Sequence, residues 1–249
     1  MSSTLLTPDQ SSHGELEHLV VLIPAWNPDT RLIGLVEELA AYGFAMILVI
    51  DDGSPTGSLP IFEQMKAVPS FHLLRHERNR GKGRALKTGF RYILSDLPMI
   101  DGVITADADG QHAAADIVAV ARAMRDGSDE VTLGVQEFAK DVPLRNWFGN
   151  VLTKHIFGFV AGMKVSDTQT GLRAFRRSLL PQLEILPGER YEYEMTVLAY
   201  ICRHIGKLRE IPITTIYMEG DNTSHFHPVW DSLRIYRALV RFYFSSLIY

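Results

Sequence analysis

Three short apolar runs constrain this chain more than any other feature: Leu19-Val20-Val21-Leu22-Ile23, Met46-Ile47-Leu48-Val49-Ile50 and Val103-Ile104-Thr105-Ala106. Successive side chains of a strand point to opposite faces, so a run with almost no polar member must be buried on both sides. That predicts a parallel sheet covered by helices above and below. The intervening segments agree. Leu32, Leu35, Val36 and Leu39 recur at helical spacing after a start at Asp29 or Thr30, and Ala85, Leu86, Gly89 and Phe90 do the same, as expected of amphipathic helices. A helix is expected over roughly Ala114 to Met124 and another from Tyr191 through Ile201, with further strands at Phe71–Leu74, Val131–Leu133 and Ile211–Tyr217. The first strand is expected to close at Pro24. The fold class is therefore α/β, a mostly parallel sheet flanked by helices.

Each of the three runs ends in a polar cluster: Pro24-Ala25-Trp26-Asn27, Asp51-Asp52-Gly53-Ser54 and Asp107-Ala108-Asp109-Gly110-Gln111-His112. Ligands of parallel sheets sit beyond the carboxyl ends of the strands, where all three clusters fall. In an extended backbone, positions i and i+2 share a side, so Asp107 and Asp109 can converge. Two hard anionic oxygens suit Mg²⁺ or Mn²⁺, which keep waters and share coordination with phosphates. The segment also reads as a solvated Asp-Gly turn. A cationic stretch, Arg75 to Arg91, contains Gly81-Lys82-Gly83 ahead of helical spacing; it reads either as a phosphate site at a helix start or as a solvated face. The polar segment Ser166-Asp167-Thr168-Gln169-Thr170-Gly171-Leu172-Arg173 lies between apolar ones, as a turn or as the lining of a pocket. Glu192 and Glu194 cannot share a helical face, so at most one of them points inward.

A formal net charge of -4 in 249 residues argues against general nucleic-acid binding. Cys202 is the single cysteine, which excludes an intramolecular disulfide framework and a cysteine-rich zinc site. Met1 to Glu17 lacks the basic flank and apolar core of a secretory signal, and no stretch reaches the roughly 18 apolar residues of a spanning helix. The expected division is a flexible extension over 1–17, one domain over 18–226 and an amphipathic juxtamembrane helix over 227–249. Two segments combine cations with aromatic bulk and lack acids: Arg145 to Lys164, and the stretch after Asp231, where Arg234, Arg237 and Arg241 share a helical stripe. They read as core helices with solvated cations or as helices in a membrane interface. The aromatic ending Phe242 to Tyr249 suggests a helix on a bilayer or a natural chain that continues into a membrane segment.

Taken in order, Ile23-Pro24-Ala25-Trp26-Asn27, Asp51-Asp52-Gly53-Ser54, Asn79-Arg80-Gly81-Lys82-Gly83 and Asp107-Ala108-Asp109-Gly110-Gln111-His112 resemble the inverting glycosyltransferases of family two. With Asp167-Thr168-Gln169-Thr170-Gly171-Leu172-Arg173, the chain resembles the branch of dolichyl-phosphate mannose synthase and bacterial polyprenyl-phosphate glycosyltransferases, from Leu19 to Arg241. The resemblance implies a GT-A, Rossmann-like fold and transfer of a hexose, with inversion, from a UDP- or GDP-sugar to a polyprenyl phosphate at the cytoplasmic membrane face. It places Pro24, Ala25 and Asp52 on the donor's nucleoside, with Asn27 and Asp51 beside them. Asp107 and Asp109 would face the diphosphate, Asp109 as the direct metal ligand, with Lys82 and Gln111 nearby. Arg173 would bind phosphate in the acceptor or donor, Asp167 would orient the acceptor or serve as a secondary catalytic base, and Gln169 would bind substrate. Relatives carry a Glu after the first-motif Asn, whereas Pro28-Asp29 follows Asn27 here. Two alternatives are a family-two transferase acting on a saccharide hydroxyl and a non-catalytic nucleotide-sugar-binding membrane module.

Overall fold

The computed structural model describes residues 14–136, 157, 162–163, 165–214 and 228–245. In chain order these form β1 (Leu19–Ala25), α1 (Arg31–Ala40), β2 (Met46–Asp51), α2 (Leu59–Met65), β3 (Phe71–Arg75), α3 (Lys82–Asp96), β4 (Gly102–Thr105), α4 (Ala114–Asp126) and β5 (Val131–Gln136). After them come β6 (Arg173–Arg176), α5 (Leu180–Ile185), α6 (Glu192–Tyr200), β7 (Arg209–Ile213) and α7 (Pro228–Ser245). The seven strands make one sheet in the order β3-β2-β1-β4-β6-β5-β7. All run parallel except β6, which pairs antiparallel with both β4 and β5.

The apolar runs are buried as their composition requires. Val20 and Leu22 of β1 face one core with Leu48, Ile50, Phe90 and Phe175. Leu19, Val21 and Ile23 face the other with Leu32, Leu39, Ile117 and Ala121. Helices α3, α5 and α6 thus cover one face while α1, α2 and α4 cover the opposite one. Burying such side chains stabilises a fold by about 1.5–3 kcal/mol each.

Three sequence expectations need correction. β1 does not close at Pro24 but continues through it to Ala25. Leu22 is the last β1 residue paired with β4, so the N–H that Pro24 lacks breaks no rung of the ladder. The last strand starts earlier than expected, at Arg209, and its described course ends at Ile213. No strand is expected at β6, whose first residue, Arg173, ends the polar segment and whose four positions include two arginines. The expected helix over Arg145 to Lys164 lies outside the described residues, except for Phe157, which is buried, and Gly162 and Met163.

The antiparallel direction of β6 has a use at each end. Its first residue, Arg173, lies opposite Thr105, the last of β4, which carries the 167–172 turn to the same sheet edge as the ends of β1 and β2. At the other end, consecutive arginines cap helices on opposite faces. Arg176 Nη2 donates to Met124 O (3.0 Å) and Gly127 O (2.6 Å) at the end of α4. Arg177 donates to Ile93 O (3.1 Å), Leu97 O (2.7 Å) and Leu94 O (3.0 Å) at the end of α3. A cation at a helix C-terminus satisfies orphan carbonyls and opposes the helix dipole.

Arg177→Met keeps the bulk of the side chain and removes every one of these donors. Charge-assisted hydrogen bonds to partly buried carbonyls are worth about 1.5–3 kcal/mol, so we expect a loss of ~2 kcal/mol, read as a lower urea midpoint with an unchanged m-value.

Candidate active site

Two carboxylate clusters form at the carboxyl edge of the sheet. The first closes the ends of β1 and β2. Asn27 takes a left-handed conformation (φ 52°), which Asn tolerates better than most residues. Its N–H donates to Ser54 Oγ (2.9 Å) and its Oδ1 accepts from Ser58 Oγ (2.8 Å). The Asp52 N–H donates to Ala25 O at 2.8 Å, so the two strand ends are stitched together behind Pro24 and Ala25. Asp51 is fully buried; its Oδ1 accepts from the Ser54 N–H (2.8 Å) and its Oδ2 pairs with Arg75 Nε at 2.7 Å. Asp52, 3% exposed, accepts from Arg80 N (2.9 Å) and Gly81 N (2.7 Å), and its Oδ1 lies 2.7 Å from His76 Nδ1. With Nδ1 donating, His76 Nε2 accepts from Thr88 Oγ1 at 2.9 Å. Asp52 therefore anchors the loop that leads into α3.

The second cluster surrounds Asp107. Lys82, the first residue of α3, reaches Asp107 Oδ1 at 2.6 Å and Glu194 Oε2 at 2.8 Å. The glycines on either side of Lys82 bring α3 and α6 close together. A Cβ at Gly81 would lie 2.5 Å from Glu189 O, and one at Gly83 would lie 2.5 Å from Tyr193 Cβ. No side chain fits there. Gly171 likewise lies flat against the Asp107 carboxylate, leaving no room for a methyl group. Thr105 Oγ1 donates to Gly171 O at 2.8 Å, which holds the turn in that place. The Asp107 N–H donates to His112 Nδ1 at 3.3 Å, and Asp109 Oδ1 accepts from the Gln111 N–H at 3.0 Å. Asp109 Oδ2 takes no hydrogen bond among the described residues.

Arg173 is 2% exposed; its Nε donates to Thr170 O (2.8 Å) and its Nη1 to Glu194 O (2.7 Å). Asp167 is buried, and its Oδ1 accepts from the Gln169 N–H at 2.8 Å. Gln111 and Gln169 are exposed. The structure thus joins Asp107, Lys82, Gly171 and Glu194 by direct contact and brings Asp109 and Arg173 into electrostatic range of Asp107. It places Asp51 and Asp52 in a separate cluster beside Pro24, Ala25 and Asn27. The cationic stretch is largely neutralised within the protein, for Arg84 and Lys87 pair with Glu189 and Arg91 pairs with Glu184.

Several residues were not singled out from sequence. The spacing predicts that at most one of Glu192 and Glu194 points inward, yet both are engaged: Glu194 meets Lys82, while Glu192 Oε1 accepts from Glu189 N (3.0 Å) and Arg190 N (3.3 Å) and its Oε2 is buried. Nothing in the sequence marks His76. Asp29 accepts from the Arg31 N–H at 2.9 Å and also binds the Arg31 guanidinium. The stem of Arg31 packs beside Gly110, so Asp29 is linked to the Asp109 turn through Arg31.

The charges in the second cluster are unequal. Burial would raise the Asp107 carboxyl, but the Lys82 ammonium, with His112 and Arg173, outweighs it and holds the group below its ordinary value. Burial would lower Lys82, but Asp107 and Glu194 hold the ammonium well above its usual range. For Asp109, burial and the neighbouring Asp107 charge both push the carboxyl upward. The Lys82 ammonium thus pairs directly with Asp107 and Glu194 and not with Asp109, whose carboxyl is the one pushed upward. Asp107 and Asp109, two hard-oxygen donors one residue apart at the end of β4, fit a divalent cation. Among the described residues no third His, Cys, Asp or Glu completes a protein-only metal cluster. A diphosphate and waters would supply the remaining ligands.

A sheet of this order, with carboxylates gathered at the crevice between β1 and β4 where the winding reverses, defines an α/β nucleotide-binding enzyme. The chain belongs to glycosyl transferase family 2, whose profile matches residues 20–183, and is a glycosyltransferase. It is 32% identical over 222 residues to the UDP-N-acetylglucosamine--dolichyl-phosphate N-acetylglucosaminyltransferase of Methanococcus voltae, covering 81% of this chain and 86% of the relative. It is 26% identical to the polyprenol monophosphomannose synthase of Mycolicibacterium smegmatis, covering 80% of this chain and 77% of the relative. Its fold is that of glucosyl-3-phosphoglycerate synthase from Mycobacterium tuberculosis, a crystal structure containing Mn²⁺, UDP and glucosyl-3-phosphoglycerate. The TM-score is 0.68 at 14% identity, covering 96% of this chain and 86% of that one.

The raised Asp109 pKa makes a stability prediction. A carboxyl raised on folding costs stability while it is ionised, and the cost disappears as pH falls through the folded pKa. Asp109→Asn keeps the oxygen that accepts from Gln111, so without added metal it should melt higher than wild type at pH 7. The difference should shrink as the pH is lowered. Equal melting temperatures at pH 7 would mean that Asp109 carries no excess charge.

Proposed function

We propose that this protein transfers a hexose from a nucleoside diphosphate sugar to a polyprenyl phosphate, with inversion, using Mg²⁺ or Mn²⁺ at the cytoplasmic face of a membrane. The observation that carries the reading is the Asp107–Asp109 pair at the end of β4, with Lys82 on one side and the 167–173 turn on the other. Relatives named for dolichyl-phosphate and polyprenol substrates support the acceptor. The fold neighbour's Mn²⁺ and UDP support the metal and a nucleoside diphosphate.

In this reading the nucleoside lies along Pro24, Ala25 and Asn27. Asp51 and Asp52 shape that pocket, Asp52 through the Arg80–Gly81 backbone that it fixes. Asp109, with Asp107, holds the divalent ion, which when bound offsets the charge that builds on the departing diphosphate. Lys82 fixes the Asp107 carboxylate and adds a positive charge beside the leaving group. The Arg173 guanidinium, immobilised by two backbone carbonyls, contributes a fixed positive potential to the phosphates. Gln111 and Gln169 present exposed amides to the sugar and acceptor. An acceptor phosphate oxygen forms the new bond to the sugar's anomeric carbon as the bond to the diphosphate breaks on the opposite face. A phosphate monoester has a second pKa near ~6 and is mainly dianionic at neutral pH. It needs no strong base, so Asp167, whose Oδ1 already accepts from Gln169, has only to orient it.

Helix α7 supports the membrane assignment. Ile235 and Phe242 pack toward the core around the buried Leu239, while Trp230, Leu233, Val240 and Phe244 are 50–61% exposed. Arg234, Arg237 and Arg241 are exposed beside them. Cations next to aromatic and aliphatic bulk suit the plane of an anionic bilayer surface. Among the described residues, no helix is long and apolar enough to cross a membrane.

With Mn²⁺, purified protein should transfer sugar from a UDP- or GDP-hexose to polyprenyl phosphate in a radiolabel extraction assay. Losing a single preorganised electrostatic contact costs about 10²–10³ in rate, and we expect that loss for Asp109→Asn. Undiminished transfer in excess chelator would rule out the metal, and transfer only to saccharide hydroxyls would rule out the lipid acceptor.

Each basic residue near an anionic membrane contributes about 1 kcal/mol. Replacing Arg234, Arg237 and Arg241 together by Glu should therefore release the protein from phosphatidylserine-containing vesicles in a flotation assay, while nucleotide binding is retained. Unchanged flotation would remove α7 from the interface.

A further inference from the structure

Lys82 has two carboxylate partners of similar distance on different elements, Asp107 Oδ1 at 2.6 Å and Glu194 Oε2 at 2.8 Å. The Glu194 backbone is held in place by its neighbours. Its carbonyl accepts from Arg173 Nη1 at 2.7 Å. The adjoining Tyr193 packs on Gly83, and its hydroxyl donates to Leu183 O at 2.7 Å. Glu189 O, just before α6, accepts from the Arg84 N–H at 2.9 Å. Lys82, by contrast, carries its charge on a flexible four-carbon stem, so the ammonium can shift between its partners while the elements stay in place. The three side chains are 14–27% exposed, so their charges are only partly screened by water.

We propose that Glu194 is a positioning residue for Lys82. The ammonium rests on Asp107 and Glu194 together, and when a nucleoside diphosphate and a divalent cation enter, Glu194 retains it so that Asp107 can turn an oxygen to the cation. Lys82 then acts as a built-in counter-cation that makes metal binding depend on nucleotide. This rests on the metal reading of Asp107 and Asp109 given above. The Lys82 ammonium reaches Asp107 and Glu194 and not Asp109, so it does not stand in for a divalent ion held by both aspartates. The arrangement therefore favours loading of metal and nucleotide together over loading of metal alone.

The test measures Mn²⁺ affinity by electron paramagnetic resonance of free Mn²⁺, with and without saturating UDP, and with GDP in parallel. In wild type the dissociation constant should fall at least tenfold when nucleotide is added. Lys82→Met should tighten the nucleotide-free constant about tenfold and leave the nucleotide-bound one within threefold. Glu194→Gln should do the reverse, weakening the nucleotide-bound constant about tenfold and leaving the nucleotide-free one within threefold. Glu194→Asp, which restores the charge, should return the nucleotide-bound constant toward wild type and serves if the glutamine variant unfolds. A simple change of net charge would move both constants of each variant together, and that result would overturn the proposal. Wild type that binds no Mn²⁺ with either nucleotide, or Asp109→Asn that binds it as well as wild type, would overturn the metal reading instead.

Discussion

The antiparallel pairing of β6 with β4 is the contact on which the site depends. Thr105 lies opposite Arg173, and that register sets Gly171 against the Asp107 carboxylate. Segments more than sixty residues apart in the chain thus become two sides of one crevice. A one-residue slip would exchange the faces of every β6 side chain. Ala174 and Phe175 would leave their separate cores, so hydrophobic burial enforces the alignment that the polar residues need.

The site runs against the general rule that buried charges are balanced. Asp51 and Asp52 follow it, with buried carboxylates met by Arg75, His76 and backbone N–H groups. Asp107 and Glu194 share the Lys82 ammonium, while the neighbouring Asp109 carboxyl is pushed upward by burial and by Asp107. The first cluster ties the ends of β1 and β2 to the loop before α3. The second stores an electrostatic cost that a bound cation would relieve, as sites shaped for reaction commonly do at the expense of stability.

Much of the sheet was legible because the physics behind it is local. Runs such as Leu19–Ile23 and Met46–Ile50 have no alternative to burial on both faces, and the carboxylates that end them fall where parallel sheets bind ligands. Asp107 and Asp109 were legible for the same reason. β6 was not, because four residues with two arginines carry no periodicity, and their strand character comes from neighbours on both sides. Glu194 illustrates a second limit. Helical spacing separates it from Glu192, but its partner Lys82 lies over one hundred positions earlier in the chain. The roles of Asp52 and His76 depend on a loop fold that no spacing rule describes.

Arg176 ends β6 and Arg177 follows it without a gap, and their guanidinium groups end helices on opposite sides of the sheet. Neighbouring side chains of an extended backbone diverge, so one short piece of chain acts as a rivet through all three layers. A load that slides one helical layer over the sheet must strain the same backbone that holds the other. Shear within the domain is therefore resisted at the end of the sheet remote from the carboxylates, and any bending during turnover is left to the loops at the opposite rim.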